Sequence, residues 1–313
     1  MRLLTFQYKK MIRIGHLTDH NKIIDLASAS HGLLPSDMMS FIEKGEYNRL
    51  LAKKIAANDD LAFLTPSKVK ILAPIPNPQS LLDGYAFKEH VKAGRKARGL
   101  DMIKEYDDFP VFYFQNNRAV TGPGDVLVME EHLEKLDFEL ECAIVIGTKC
   151  RNVKASEADE CIAGYMIMND WSARAIQQKE MKLNLGPVKG KDFATSFGPF
   201  ITTRDELEMY RIPGPNGERY DLKMTCEVNG KKVSEDNLKN MTWTFAQIIE
   251  RASRGTDLFP GDIIGSGTCG TGCFLELNSY PNNDETWLES GDVVELSIDM
   301  LGSLRNTIVK IES

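Results

Sequence analysis

Three acidic residues alternate along one short segment, Asp137, Glu139 and Glu141 in Asp137-Phe-Glu-Leu-Glu-Cys-Ala-Ile-Val-Ile-Gly. Strand side chains alternate with period two, so the three carboxylates share one face, and Phe138, Leu140, Cys142, Ile144 and Ile146 share the other. The carboxylate face continues as Ala143 and Val145, which draws it towards the interior. Like charges two residues apart on a partly buried strand repel unless something neutralises them. A hard divalent cation does this with oxygen ligands alone, and Mg2+, Ca2+ and Mn2+ all accept such a set. An acidic edge strand in water explains the same alternation equally well.

Further along, Gly164-Tyr-Met-Ile-Met-Asn-Asp-Trp-Ser-Ala-Arg-Ala-Ile-Gln-Gln reads as a strand giving way to a helix near Ser172. Asp170 stands at the junction, where a carboxylate either caps the helix or takes a metal. Arg174 and Gln177 are three apart and project from neighbouring positions of that helix. A cation and an amide displayed together suit an anionic, oxygen-rich ligand, although solvated surface is the plainer reading. Asp83 and His90 are seven apart, which two helical turns would place on one side. Of the five histidines, His90 is the one with acidic and aromatic neighbours, among them Tyr85, Phe87 and Glu89. It is the candidate general base, the alternative being an ordinary core or surface histidine.

Three other patterns carry less. Leu185-Gly-Pro-Val-Lys-Gly-Lys-Asp looks like a phosphate loop, but its spacing is too short and Asp192 stands where a Ser or Thr is required. Lys191 beside Gly190 is nonetheless able to approach a bound substrate closely. Gly265-Ser-Gly-Thr-Cys-Gly270 matches a dinucleotide fingerprint, yet the following Phe274–Leu277 reads as a strand and not as the required helix. A tight turn presenting Thr268 is the better reading. Cys269 and Cys273 have no Cys or His beside them in sequence and make a weak zinc pair, so the six cysteines are expected to be free thiols.

The elements that must position these residues are mostly strands. Phe6–Gly15 is expected to form two strands and Ile23–Asp25 a third, followed by helix over Asp37–Ala57 with a break at Gly45. The prolines at 74, 76 and 78 mark a boundary, dividing a small N-terminal domain (1–72) from a larger catalytic one (73–313). Strands are expected at Pro110–Phe114, Asp125–Met129, Phe138–Ile146, Gly164–Met168, Leu222–Val228, Asp262–Gly265, Phe274–Leu277 and Val293–Ile298, with helices at Ala86–Ala97, Ser172–Lys179 and Thr244–Arg254. Many strands and few helices predict a mixed, β-rich α+β roll or sandwich. The 38 basic residues against 45 acidic ones, a net charge of −7, argue against a nucleic-acid partner. No apolar run approaches membrane length and the N-terminus lacks a signal-peptide pattern, so a cytoplasmic location is expected.

Taken together, Asp137-Phe-Glu-Leu-Glu, Asn169-Asp-Trp-Ser-Ala-Arg with Ile176-Gln-Gln, Leu185-Gly-Pro followed by Gly190-Lys191, and Ser266-Gly-Thr ahead of Leu275-Glu-Leu resemble the fumarylacetoacetate hydrolase family over roughly residues 70 to 310. The resemblance implies a family-type β-roll, usually dimeric, and a divalent cation held by Asp83, Glu139, Glu141 and Asp170. It implies His90 as catalytic base oriented by Glu276, with Tyr85, Arg174, Gln177 and Thr268 facing substrate. Lys191, which would also stabilise developing charge, and Thr195 match positions near a second, magnesium-type site. The implied activity is hydrolysis of a carbon–carbon bond in a β-diketo acid, as in aromatic amino-acid catabolism, with keto-acid decarboxylase, isomerase or lyase chemistry as the alternative and a non-catalytic calcium-binding protein as the third. Two positions depart from the fumarylacetoacetase pattern: Gly84 replaces an aromatic residue and Met181 a tyrosine, which leaves the acyl group open.

Overall fold

The computed structural model describes residues 1–58, 61–96, 99–280 and 283–312. Its centre is a mixed sheet running, edge to edge, Ile23–Asp25, Met11–Leu17, Arg2–Tyr8, Thr195–Thr203, Ile162–Asp170, Leu140–Ile146, Ile263–Gly265, Leu81–Gly84 and Phe112–Phe114, with Lys70–Ile71 and Val120–Thr121 attached at its sides. A second sheet runs Lys231–Asn237, Lys223–Val228, Val293–Ile298, Gly302–Lys310 and Gly124–Val128. Most neighbours are antiparallel, but Ile263–Gly265 lies parallel to Leu81–Gly84 and Gly302–Lys310 parallel to Gly124–Val128. The β-rich α+β class read from the strand spacing is the fold observed.

Alternation in Leu140–Ile146 explains why the central strand is apolar on both faces. Leu140, Cys142, Ile144 and Ile146 enter a core shared with Met224, Cys226, Leu296 and Leu304 of the second sheet. Ala143 and Val145 enter another, with Leu3, Ile14, Ile24 and Phe41 of the N-terminal segment. Each fully buried aliphatic side chain contributes about 1.5–3 kcal/mol. The strand that carries Glu141 is therefore clamped from both sides. Residues 1–72 share this core and one hydrogen-bonded sheet with the rest of the chain, through Arg2–Tyr8 on Thr195–Thr203.

Several expected elements move in ways that matter for chemistry. Phe274–Leu277 is a single helical turn and not a strand. The Asp137 carboxylate accepts from the amides of Phe274 and Leu275, at 2.7 and 3.0 Å, and so caps the turn from a distant part of the chain. The helix expected at Ser172–Lys179 begins at Arg174, because Ser172 and Ala173 pair with Asp137 and Leu136. Leu140–Ile146 begins two residues later than expected, since the Glu139 amide leaves the ladder for Asn169 Oδ1. Helix Lys88–Lys96 lies within the expected Ala86–Ala97, of which Ala97 falls outside the described residues. Gly45, at φ 53, separates Met38–Glu43 from Glu46–Ala56 as its position in the apolar pattern suggested.

Candidate functional site

Asp83, Glu141 and Asp170 converge from three neighbouring parts of the large sheet, with one oxygen of each within 4.8 Å of the others. Register brings them there. Asp83 lies opposite Gly265, which in turn lies opposite Ala143, and Glu141 lies opposite Met168, two residues before Asp170. A Cβ on Gly265 would stand 2.4 Å from Asp83 Oδ1 and 2.7 Å from Met168 Sδ, so only glycine leaves room for the carboxylate. Likewise, a Cβ on Gly267 would meet the Gly84 carbonyl at 2.6 Å. Gly265 and Gly267 of the apparent dinucleotide motif thus make space for the protein's own Leu81–Gly84 strand. Gly84 itself faces the Gly265 carbonyl at 3.0 Å from an added Cβ, which leaves no place for the aromatic residue of fumarylacetoacetase.

All three carboxylates are buried, and the single ammonium of Lys191, paired with Asp170, does not offset them. Burial, then the neighbouring Asp170, pushes Asp83 up to about 7. Burial also pushes Asp170 up to about 6, with Lys191 pulling the other way, and drives Glu141 well above its ordinary value, with Asp83 adding to the effect. Glu141 Oε2 and Asp170 Oδ1 are buried without a hydrogen-bond partner among the described residues, while Glu141 Oε1 accepts from Thr268 at 3.2 Å. Buried anionic oxygens without donors are costly. A donor set made wholly of carboxylate oxygen fits a hard divalent cation, and the residues present pass that test.

Glu139 is placed differently from the other three. Its Oε1 accepts from Arg174 at 2.7 Å and its Oε2 from Lys191. Burial alone would raise this carboxyl, but Lys191 and Arg174 together hold it well below the usual range. Lys191 also donates to Asp170, and the two carboxylates keep it charged. An ammonium has no lone pair, so Lys191 serves the site as a fixed positive charge and not as a metal ligand. Thr195 donates to Gln115 at 3.1 Å.

Asp170 is no helix cap: the residue at that position is Ala173, and it makes no capping bond. Its Oδ2 accepts instead from Tyr113 at 2.7 Å, and Tyr113 receives a hydrogen bond from Gln115, also at 2.7 Å. The chain Thr195–Gln115–Tyr113–Asp170 was missed by sequence reasoning. Tyr113 lies in strand Phe112–Phe114 and Gln115 just beyond its end, two residues on.

Asp83 and His90 do not share a helix either. Asp83 lies in strand Leu81–Gly84 and His90 in the next helix, so a strand–turn–helix connects them. His90 Nδ1 lies 3.1 Å from Glu276 Oε2, with both side chains buried. Tyr85 stands edge-on to the His90 ring at 5.8 Å. A carboxylate accepting from Nδ1–H fixes the tautomer in which Nε2 carries the lone pair.

Arg174 is turned inward, with 2% of its surface exposed. Its Nε donates to Asp137 at 2.8 Å and its terminal nitrogens to Gln177 at 3.0 Å and to Glu139. The residue thus braces the acidic strand against the helix that bears it, and Gln177 lies at the outer end of that brace. Met181, at the helix end, is exposed.

A model of the fumarylacetoacetate (FAA) hydrolase C-terminal family matches residues 80–309. The mitochondrial oxaloacetate tautomerase of Xenopus laevis is 32% identical over 99% of this chain and 90% of its own length. The fumarylacetoacetate hydrolase of Exiguobacterium antarcticum superposes with a TM-score of 0.76 at 25% identity, covering 99% of this chain and all of its own. The maleylpyruvate hydrolase of Sphingobium sp. SYK-6, solved with manganese(II) and pyruvate, gives 0.73 at 23% identity with full coverage of both chains. The match across the whole region that carries these side chains is the ground for one conclusion: the chain belongs to the fumarylacetoacetate hydrolase family and is an enzyme of that superfamily.

Proposed function

We propose that the chain catalyses proton transfer next to the 2-oxo group of a small, oxaloacetate-like keto acid, interconverting its keto and enol forms with the help of a divalent cation. The observation that carries this reading is His90, held by Glu276 at 3.1 Å, together with three buried carboxylates that share one lysine. The oxaloacetate tautomerase name of the Xenopus laevis relative supports the choice of substrate. Asp83, Glu141 and Asp170 would hold the cation, with Glu139 beside them through Lys191, which it shares with Asp170. Bound there, the cation supplies Lewis acidity towards the oxygen-rich end of the keto acid.

The protein's own groups do the remainder. Nε2 of His90 takes the proton from the carbon beside the carbonyl, and Glu276 stabilises the imidazolium that forms. Lys191 sets a buried positive charge next to the carboxylate cage, where developing enolate charge is costliest. The same imidazolium returns the proton to oxygen. Tyr85 and Thr268 line the approach between the His90 ring and Glu141, and Gln177 is proposed to meet the distal carboxylate. Partners are proposed to be the keto acid and a second copy of the chain.

The second reading keeps the same base for a different proton. If Nε2 takes it from water, the hydroxide attacks the carbonyl of an acylpyruvate and the carbon–carbon bond breaks; the intact His90–Glu276 pair favours this. Decay of the oxaloacetate enol absorbance, set beside acid release from acylpyruvates after chelation and metal add-back, separates the two. Kinetic silence on both substrates would leave only a cation-binding protein.

A further inference from the structure

We infer that His90, Cys273 and Glu276 form a second metal site, distinct from the carboxylate cage and suited to zinc-type ions that accept nitrogen, sulfur and oxygen together. One donor atom of each lies within 4.8 Å of the others, and all three residues are buried. Sulfur of Cys273 is 4.0 Å from His90 Nδ1, which is 3.1 Å from Glu276 Oε2. For a tetrahedral ion with a metal–sulfur distance of about 2.3 Å and metal–nitrogen or –oxygen distances of about 2.0–2.1 Å, the corresponding separations are about 3.5 and about 3.3 Å. The nitrogen–oxygen pair already meets that spacing, and the sulfur must approach the imidazole by about half an ångström.

Local structure presents the donors together. Cys273 precedes the Phe274–Leu277 turn with extended backbone, φ −155 and ψ 160, and Glu276 follows three residues on. Asp137, holding the amides of Phe274 and Leu275, fixes that turn. Tyr280 reaches the other oxygen of Glu276, at 3.4 Å, so Oε2 stays turned to the histidine. The sequence gives Cys273 no neighbouring histidine, and only the fold brings one, 183 residues away. Hard cations that satisfy the carboxylate cage have little preference for a thiolate, so the two sites sort ions by donor chemistry.

Occupation has a chemical consequence. Coordination uses the Nδ1 lone pair, so the imidazole proton moves to Nε2, and Cys273 releases its thiol proton to solvent. Glu276 Oε2 leaves the dyad for the metal. Nε2 then carries a hydrogen where the proposed reaction needs a lone pair, and turnover stops. This inhibition rests on the proposed function; the metal site does not.

Cobalt(II), added to magnesium-loaded protein, tests the site without reference to activity. A thiolate-to-cobalt charge-transfer band in the near ultraviolet is expected for the native chain and for Cys269→Ser. It should vanish in both Cys273→Ser and Cys273→Ala, so that a folding defect in one variant does not decide the matter. Zinc added at constant magnesium should inhibit the native enzyme, and Cys273→Ser should raise the half-inhibiting concentration about tenfold or more with turnover in magnesium alone unchanged. Absence of the band in the native chain, its persistence without Cys273, or its loss in Cys269→Ser would overturn the site. Equal zinc sensitivity of the Cys273 variants would overturn the inhibition through this site, by placing the inhibitory zinc on the carboxylates. A band without inhibition would uphold the site and count against Nε2 as the base.

Discussion

Asp137 holds Arg174 through a 2.8 Å bond from Nε, and the same carboxylate receives two amides of the turn that carries Glu276. One acidic residue thereby fixes both the brace behind Glu139 and the orientation of the histidine's partner. Asp137→Ala is expected to cost about 3–5 kcal/mol of unfolding free energy, because it removes one of the two carboxylates on buried Arg174 and leaves two turn amides without their acceptor. Chemical denaturation measures this, and a loss below about 1 kcal/mol would show that the clamp contributes little.

His90→Ala is expected to reduce turnover by about 10²–10⁴-fold with cation affinity nearly unchanged, since His90 lies outside the carboxylate cluster. Glu276→Gln should fall in the same direction but less. Titration calorimetry with Mn2+ supplies the affinity, and steady-state kinetics the rate. Turnover retained by the His90 variant would remove the assigned base.

Tyr113→Phe deletes the hydroxyl on Asp170 and leaves Gln115 without its acceptor. Groups that orient a metal ligand from behind are typically worth about 10–100-fold in affinity. A drop of that size in Mn2+ binding, followed by the spectrum of free manganese, is expected with the fold intact. Native-like affinity would show that Asp170 needs no such support.

Metal and pH are coupled with a definite sign. In the metal-free fold burial lifts Asp83 to about 7 and Asp170 to about 6, and raises Glu141 as well. Between about pH 4 and about pH 7 these groups keep protons that the unfolded chain has released, so their contribution to stability is lost as pH rises. A dication favours the ionised forms and offsets that loss. The melting temperature gained on adding Mn2+ to chelated protein should therefore grow from pH 5 to pH 8. Comparing loaded with chelated protein at each pH cancels groups remote from the site, and a gain that shrinks with pH would contradict the cage.

Much of the site was legible because it depends on local patterns. Period-two alternation sorted Cys142, Ile144 and Ile146 from Ala143 and Val145 on the central strand, and the Gly45 break divided the N-terminal helices. What misled was also local: Leu275-Glu-Leu looks like a strand until Asp137 caps it, and Asp170 looks like a cap until Tyr113 and Lys191 take it.

By itself the sequence determined which residue types are available, their order, and the β-rich class, since periodicity and turn chemistry are properties of neighbouring residues. Tertiary structure alone decided that Lys191 lies between Glu139 and Asp170, that Arg174 faces inward, and that Cys273 meets His90. Those relations join segments far apart in the chain. Strand register and the packing of two cores on one strand determine them, and no short stretch of sequence carries either.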